Sequence, residues 1–192
     1  IGLRTQAHVI RHCEIENTLH VACADGVKIE HNIIAGTKCG IVLDLVEGAF
    51  RTTIADNIIV SRDGAICLLS GSQIDIVRNQ MEQGGGQRNA NRLAQAQLIM
   101  RASRFVCTAI NVVANNFGGG TNADCGIDAA SADGNPLVDV FVDLNTFRSF
   151  ASGYDVKLGA GVRNACFGEN NRLRGNRDGY ILNAHGEPQG AV

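Results

Sequence analysis

GIVLDL (40–45), TTIADNIIV (52–60), GAICLLS (64–70) and QIDIVRNQM (73–81) alternate apolar and polar residues in short runs, and two kinds of run take turns along the chain. Side chains in a β-strand point to opposite faces with period two, so each run reads as a strand with one apolar edge. The turn-rich gaps between them are too short for helices. The stretch is therefore one piece of a repeat.

Aligning the second kind of run on its asparagine extends that repeat over the whole sequence. Asn57 and Asn79 have an isoleucine three residues earlier (Ile54, Ile76) and an apolar residue two later (Ile59, Met81). Asn32 with Ile29 and Ile34, Asn115 with Val112 and Phe117, and Asn145 with Val142 and Phe147 fit the same frame. An earlier copy carries Cys13 in the asparagine's place, between Ile10 and Ile15, and in the last copy, FGENNRL, either Asn170 or Asn171 qualifies. Successive positions lie 19 (13 to 32), 25 (32 to 57), 22 (57 to 79), 36 (79 to 115) and 30 (115 to 145) residues apart. A side-chain amide donates and accepts and tolerates tight-turn dihedrals, so asparagine at one corner predicts a ladder that bonds to its counterparts and to backbone.

The glycine-led runs are GIVLD, GAICL, GIDAA, GYDVK and GYILN from Gly40, Gly64, Gly126, Gly153 and Gly179, with QLIMR from Gln97 as a copy lacking its glycine. Aligned on the glycine, Ile41, Ala65, Leu98, Ile127, Tyr154 and Tyr180 are expected to point inward. Leu43, Cys67, Met100, Ala129, Val156 and Leu182 continue that core. Two excursions interrupt the rhythm, at 82–96 and 131–136. NRLAQAQLIMRASRF fits a helical face through Ala94, Leu98, Ala102 and Phe105, but VCTAINVVANNF resumes the repeat afterwards, which favours a surface loop and a strand from Gln97.

Composition narrows the class. The chain has 192 residues, 45% of them apolar, with 23 glycines, two prolines and no tryptophan, as many short strands and tight turns require. A net charge of -2 with interspersed signs implies neither a nucleic-acid groove nor a polybasic membrane patch. No run approaches a membrane span and IGLRTQAHVI lacks the sections of a signal peptide; since it also lacks an initiator methionine, a longer or processed natural protein is expected. Seven cysteines lack the paired spacings of zinc or iron–sulfur sites and read as small buried hydrophobes, which predicts folding in a reducing compartment and leaves an extracellular destination open if the protein leaves the cell after folding. His12 with Glu14 and His31 with Glu30 are weak metal candidates, with solvent-facing roles as the ordinary reading.

At least two strands and a polar corner per repeat, with no recurrent helix, exclude the helical solenoids. A coil whose turns stack strand on strand fits, with about six or seven coils in one domain over 1–192. The pattern resembles the right-handed parallel β-helix superfamily of pectate lyases, polygalacturonases, alginate-modifying enzymes and phage tailspikes, and is most like a tailspike segment. That resemblance implies the handedness of the coil and polysaccharide as the class of partner. It carries no catalytic signature. Uncapped ends and an apolar outward stripe (Val42, Ile66, Leu68, Ile99, Ile181) point to a homotrimer or to further domains of the same polypeptide.

The glycine alignment also names a candidate site. It sets Asp128 and Asp155 outward and side by side on adjacent coils, about 4.8 Å apart, with Lys157 beside Asp155 and Arg101 one coil earlier. Two such carboxylates can divide acid and base roles at a glycosidic bond. Alternatively, they hold Ca²⁺ and a uronate while Lys157 or Arg101 abstracts a proton, as β-helix polysaccharide lyases do. Against both stands a plain cross-coil charge ladder. The readings are thus a surface-polysaccharide recognition module, a polysaccharide lyase, epimerase or glycoside hydrolase acting on an acidic glycan, or a purely structural β-helix.

Overall fold

The computed structural model describes residues 8–22, 26–45, 50–83, 96–118, 123–148, 150, 154–174, 179–182 and 188–189. Its strands follow one another in a three-step cycle. The first three coils hold β1 (Val9–Arg11), β2 (Glu14–Glu16) and β3 (Leu19–Val21), then β4 (Lys28–Glu30), β5 (Ile33–Gly36) and β6 (Cys39–Asp44), then β7 (Phe50–Ala55), β8 (Ile58–Ser61) and the first half of β9 (Gly64–Val77). The second half of β9 opens the fourth coil, completed by β10 (Gln80–Gln83) and β11 (Ala96–Ala102). Then come β12 (Cys107–Val113), β13 (Asn116–Gly118) and β14 (Cys125–Ser131), followed by β15 (Leu137–Asp143), β16 (Thr146–Arg148) and β17 (Tyr154–Leu158). The last coil is β18 (Val162–Phe167), β19 (Arg172–Arg174) and β20 (Gly179–Leu182), against which β21 (Pro188–Gln189) pairs antiparallel.

Each strand pairs in parallel with its counterpart one coil on, giving three sheets. Sheet 1 runs β1, β4, β7, β9, β12, β15, β18. Sheet 2 runs β2, β5, β8, β10, β13, β16, β19. Sheet 3 runs β3, β6, β9, β11, β14, β17, β20. The molecule is a right-handed parallel β-helix of seven coils, the hand that parallel crossovers adopt. Sheets 1 and 3 join through the 14-residue β9, which turns at Gly71, whose φ of 139° favours glycine.

The interior is filled by in-register columns. Ile29, Ile54, Ile76, Val112 and Val142 come from sheet 1, and Ile34, Ile59, Met81, Phe117 and Phe147 from sheet 2, all fully buried. These are the flanking residues of the asparagine frame. Burying each large aliphatic is worth about 1.5–3 kcal/mol, and stacking identical shapes lets neighbouring coils share one packing solution. Phe117 and Phe147 stack with ring centroids 4.7 Å apart. A methyl group at Gly126 would sit 2.7 Å from the Phe147 ring, which explains the glycine there.

The ladder forms at the corner between sheets 1 and 2. Asn32, Asn57, Asn79, Asn115 and Asn145 are each no more than 1% exposed. The Asn57 amide nitrogen donates to the Ile29 and Ala55 carbonyls and to Asn79 Oδ1, which also accepts from the Asn57 backbone N–H at 3.1 Å. Asn32, Asn79, Asn115 and Asn145 repeat the pattern. Asn171, not Asn170, is the last member. At the other end Cys13 donates its backbone N–H to Asn32 Oδ1 at 3.0 Å and its thiol to the Arg11 carbonyl at 3.3 Å. The residues just before the ladder, His12, His31, Asp56, Arg78, Ala114 and Leu144, all adopt φ of 54–59°. A left-handed non-glycine residue costs about 1–2 kcal/mol. The hydrogen bonds of the following asparagine offset that cost.

Three expectations are corrected here. Cys39 and Cys67 form a disulfide between the second and third coils, with Cα atoms 6.5 Å apart, so the cysteines are not uniformly reduced and the reducing-compartment reading fails: such bonds form and persist in oxidising environments. Cys13, Cys107, Cys125 and Cys166 are free, and Cys23 lies outside the described residues. The inward set is also shifted: Ile66 and Leu68, expected outside, are fully buried, whereas Cys67 joins the outer disulfide. The apolar outward stripe therefore shrinks to the half-buried Val42 and Ile99, since Ile181's side chain lies outside the described residues.

Residues 96–102 form a strand, not a helix. Residues 84–95 of the first excursion lie outside the described residues. The second excursion is a tight reversal: Ala132 and Asn135 bridge across Asp133 and Gly134, both at positive φ, the geometry an Asp-Gly pair favours.

Candidate functional site

The outer face of sheet 3 is where the third to sixth coils change character. In register the column reads Val42, Cys67, Ile99, Asp128, Lys157; two residues on, Asp44 pairs with Ser70 and Arg101 with Ala130. The step from Leu43 to Asp44 is irregular, which places Ser70 rather than Leu69 opposite Asp44. Along the first column apolar residues occupy the early coils and charges the later ones.

Arg101, Asp128 and Lys157 come together. The Arg101 guanidinium donates to Asp128 Oδ2 at 2.6 Å and to the Asp128 carbonyl at 2.9 Å, and also to the Met100 carbonyl at 3.0 Å. Lys157 stands directly across from Asp128 on the next coil. The Asp128 side chain is 12% exposed and that of Arg101 27%, so the pair is partly withdrawn from water, where charge-assisted bonds gain strength. No carboxylate among the described residues lies within ion-pairing distance of the Lys157 ammonium. Two cations flank one carboxylate, leaving a net positive edge.

Asp155 does not belong to this cluster. Cross-coil pairing sets Val156, not Tyr154, opposite Ile127, two residues from the glycine-based alignment. Asp155 thereby occupies the slot of Gly126 and Gln97 and is fully buried. The reason is steric and local. Two consecutive positions turn inward where this strand begins, so a glycine marks no fixed point from which to count alternation. A pair of carboxylates sharing the outer face is not formed.

Further residues join the face that the repeat did not single out. Arg104, just past β11, pairs with Asp44 at 3.4 Å, whereas Ser70, opposite Asp44, is fully buried and its Oγ donates to the Leu45 carbonyl at 2.6 Å. At the asparagine corner, the His12 and His31 rings stack with centroids 5.4 Å apart, and Arg78 grips Asp56 through two bonds of 2.7 Å. The bond from Arg78 holds the Asp56 carboxyl below its ordinary range. The signal for that column was present, since each member immediately precedes a ladder position. Burial pushes the Cys107 thiol up to about 12 and raises that of Cys125, so neither serves as a nucleophile.

Among the described residues no group of three or more His, Cys, Asp and Glu side chains converges to hold a metal ion. Nor is any helix among them long and apolar enough to cross a membrane. No family model, no curated protein and no solved structure matches this chain, so its membership rests on the architecture alone: an all-β parallel solenoid.

Proposed function

We propose that the chain is a surface-polysaccharide recognition module that binds an anionic glycan along the outer face of sheet 3. The observation that carries this reading is the Arg101, Asp128, Lys157 cluster on three successive coils of one face. Coils spaced about 4.8 Å apart present these groups at a regular interval that an extended polymer with repeating carboxylates or phosphates can follow. Lys157 and the outer edge of Arg101 supply the attraction. Asp128 fixes the guanidinium and accepts from sugar hydroxyls, which supports orientation as well as affinity.

Within this reading the protein works like the β-helical shaft of a tailspike-like protein, and association into a homotrimer or with further domains of the same polypeptide belongs to it. The oxidised Cys39–Cys67 pair is consistent with work outside reducing compartments. Turnover by a lyase, epimerase or hydrolase mechanism, with or without Ca²⁺, loses its motivating geometry once Asp155 is inside, because acid and base carboxylates must face the same substrate.

The test is an array of capsule, lipopolysaccharide and uronate polymers, read for both binding and product, with R101A/K157A and D128N variants. Salt-sensitive binding to an acidic polymer, weakened at least tenfold in R101A/K157A and without product, is expected. Cleavage lost in a folded D128N variant would make the protein an enzyme, and binding unchanged in R101A/K157A would move the recognition surface elsewhere.

A further inference from the structure

The outer face of sheet 1 has a different chemistry. Phe141, at 39%, is an exposed phenylalanine on this face. Register places it between Asn111 on the preceding coil and Cys166 on the next. On its own strand Asp139 and Asp143 stand two residues to either side, on the same face by the period of two around Val140 and Val142, which are buried.

The polar groups around the ring are tied down across coils. Asn111 donates to Asp75 at 2.8 Å, Asn164 to Asp139 at 3.1 Å, and the Asn170 side chain and backbone N–H to Asp143 at 3.2 Å each. Asp139 and Asn164 belong to a second stack of left-handed residues (Arg51, Gln73, Ala109, Asp139, Asn164), with φ of 53–61° at the same point of five successive coils. The strands kink there in unison, so this face keeps its shape from coil to coil. Groups already held in place lose little freedom when a ligand arrives.

We propose that this face, centred on Phe141, is a separate binding site for a neutral sugar ring. The apolar C–H face of a pyranose packs on the exposed phenyl ring, which supplies contact area with little side-chain freedom to lose. Asp139 and Asp143 accept from sugar hydroxyls, while Asn111 and Asn164 offer both donors and acceptors. Two carboxylates against a single nearby cation, Arg163 across from Val138, disfavour an acidic sugar. The face thus selects the opposite class of glycan from the Arg101–Lys157 edge, and does not depend on that site.

Titration with gluco-, manno- and galacto-hexaose and with oligogalacturonate, followed by NMR of the Phe ring and Asn amide signals, tests this. The wild type, F141A, F141Y and R101A/K157A are compared, with thermal melts to verify folding. Saturable binding of a neutral hexaose, weakened at least tenfold in F141A, largely kept in F141Y and unchanged in R101A/K157A, is the expected result. No response to any neutral hexaose, or binding equal in wild type and F141A, overturns the proposal. So does a Phe141-dependent self-association in place of sugar binding, which would give the face to a second copy of the chain.

Discussion

The asparagine corner and the outer face of sheet 3 are built from the same seven coils, yet one is uniform and the other is not. At the corner, each member satisfies the backbone of the coil beneath and takes its own bonds from the coil above. A coil with another side chain there leaves a buried donor or acceptor unmet, costing about 1–3 kcal/mol per group. On the outer face of sheet 3 the columns pass from Val42 and Cys67 to Asp128 and Lys157, because water or a ligand can meet whatever side chain is present. Obligate interior hydrogen bonds enforce repetition, and a solvent face permits divergence.

Breaking the corner should have the largest effect. N79A removes the acceptor for the Asn57 backbone N–H and the donor to the Ile54 carbonyl, both buried, and the donor to the part-buried Val77 carbonyl. A loss of about 4 kcal/mol is expected from unmet groups of this kind, measured by urea melts. A cost under about 1 kcal/mol would mean that packing, not the ladder, keeps the coils aligned.

Opening the disulfide tests the outer face itself. C39S/C67S frees a cross-link spanning 28 residues, and the chain-entropy account gives a loss of about 3.6 kcal/mol. Hydrogen exchange should quicken mainly in the first three coils, since solenoid coils depend chiefly on their neighbours. Uniform loss of protection along the rod would show that the coils unfold as one unit and that the distinction between the two regions is not energetic.

The smallest effect belongs to the exposed pair beside the ladder. Arg78 depresses the Asp56 pKa, so the pair stabilises the fold above the unfolded-state carboxylate pKa. That contribution is lost as pH falls through the lower folded-state value. D56N should cost a little stability at neutral pH, shallow the acid limb of a pH–stability profile and converge with the wild type below the folded-state value. A D56N profile that overlays the wild type at neutral as well as at acid pH would remove Asp56 from the account.

Legibility followed the same division. The asparagine frame located the buried flanking columns of sheets 1 and 2 and even the degraded copy, where Cys13 donates its backbone N–H to Asn32 and its thiol to the Arg11 carbonyl. Only the insertion in FGENN left a choice, which the bond from Asn145 to Asn171 resolves. The glycine frame misled, because Gly64, Gly126 and the residues aligned with them serve different purposes. Gly126 clears the Phe147 ring, whereas Gly64 abuts Ile99 and the Cys67 sulfur on the outer side. Hence Ile66 and Leu68 were expected outside, and Asp155 beside Asp128. The cysteines gave no spacing that foretold the disulfide, since Cys39 and Cys67 meet only through cross-coil register.

The sequence by itself determined the all-β coil, its number of turns to within one, and the asparagine corner, because period-two alternation and an obligate amide recur wherever buried backbone must be satisfied. The tertiary structure alone decided the cross-coil offset of sheet 3, and with it the disulfide, the burial of Asp155 and the pairing of Arg101, Asp128 and Lys157. Alternation constrains each strand separately. How one coil slides against the next is settled by side chains packing through the interior.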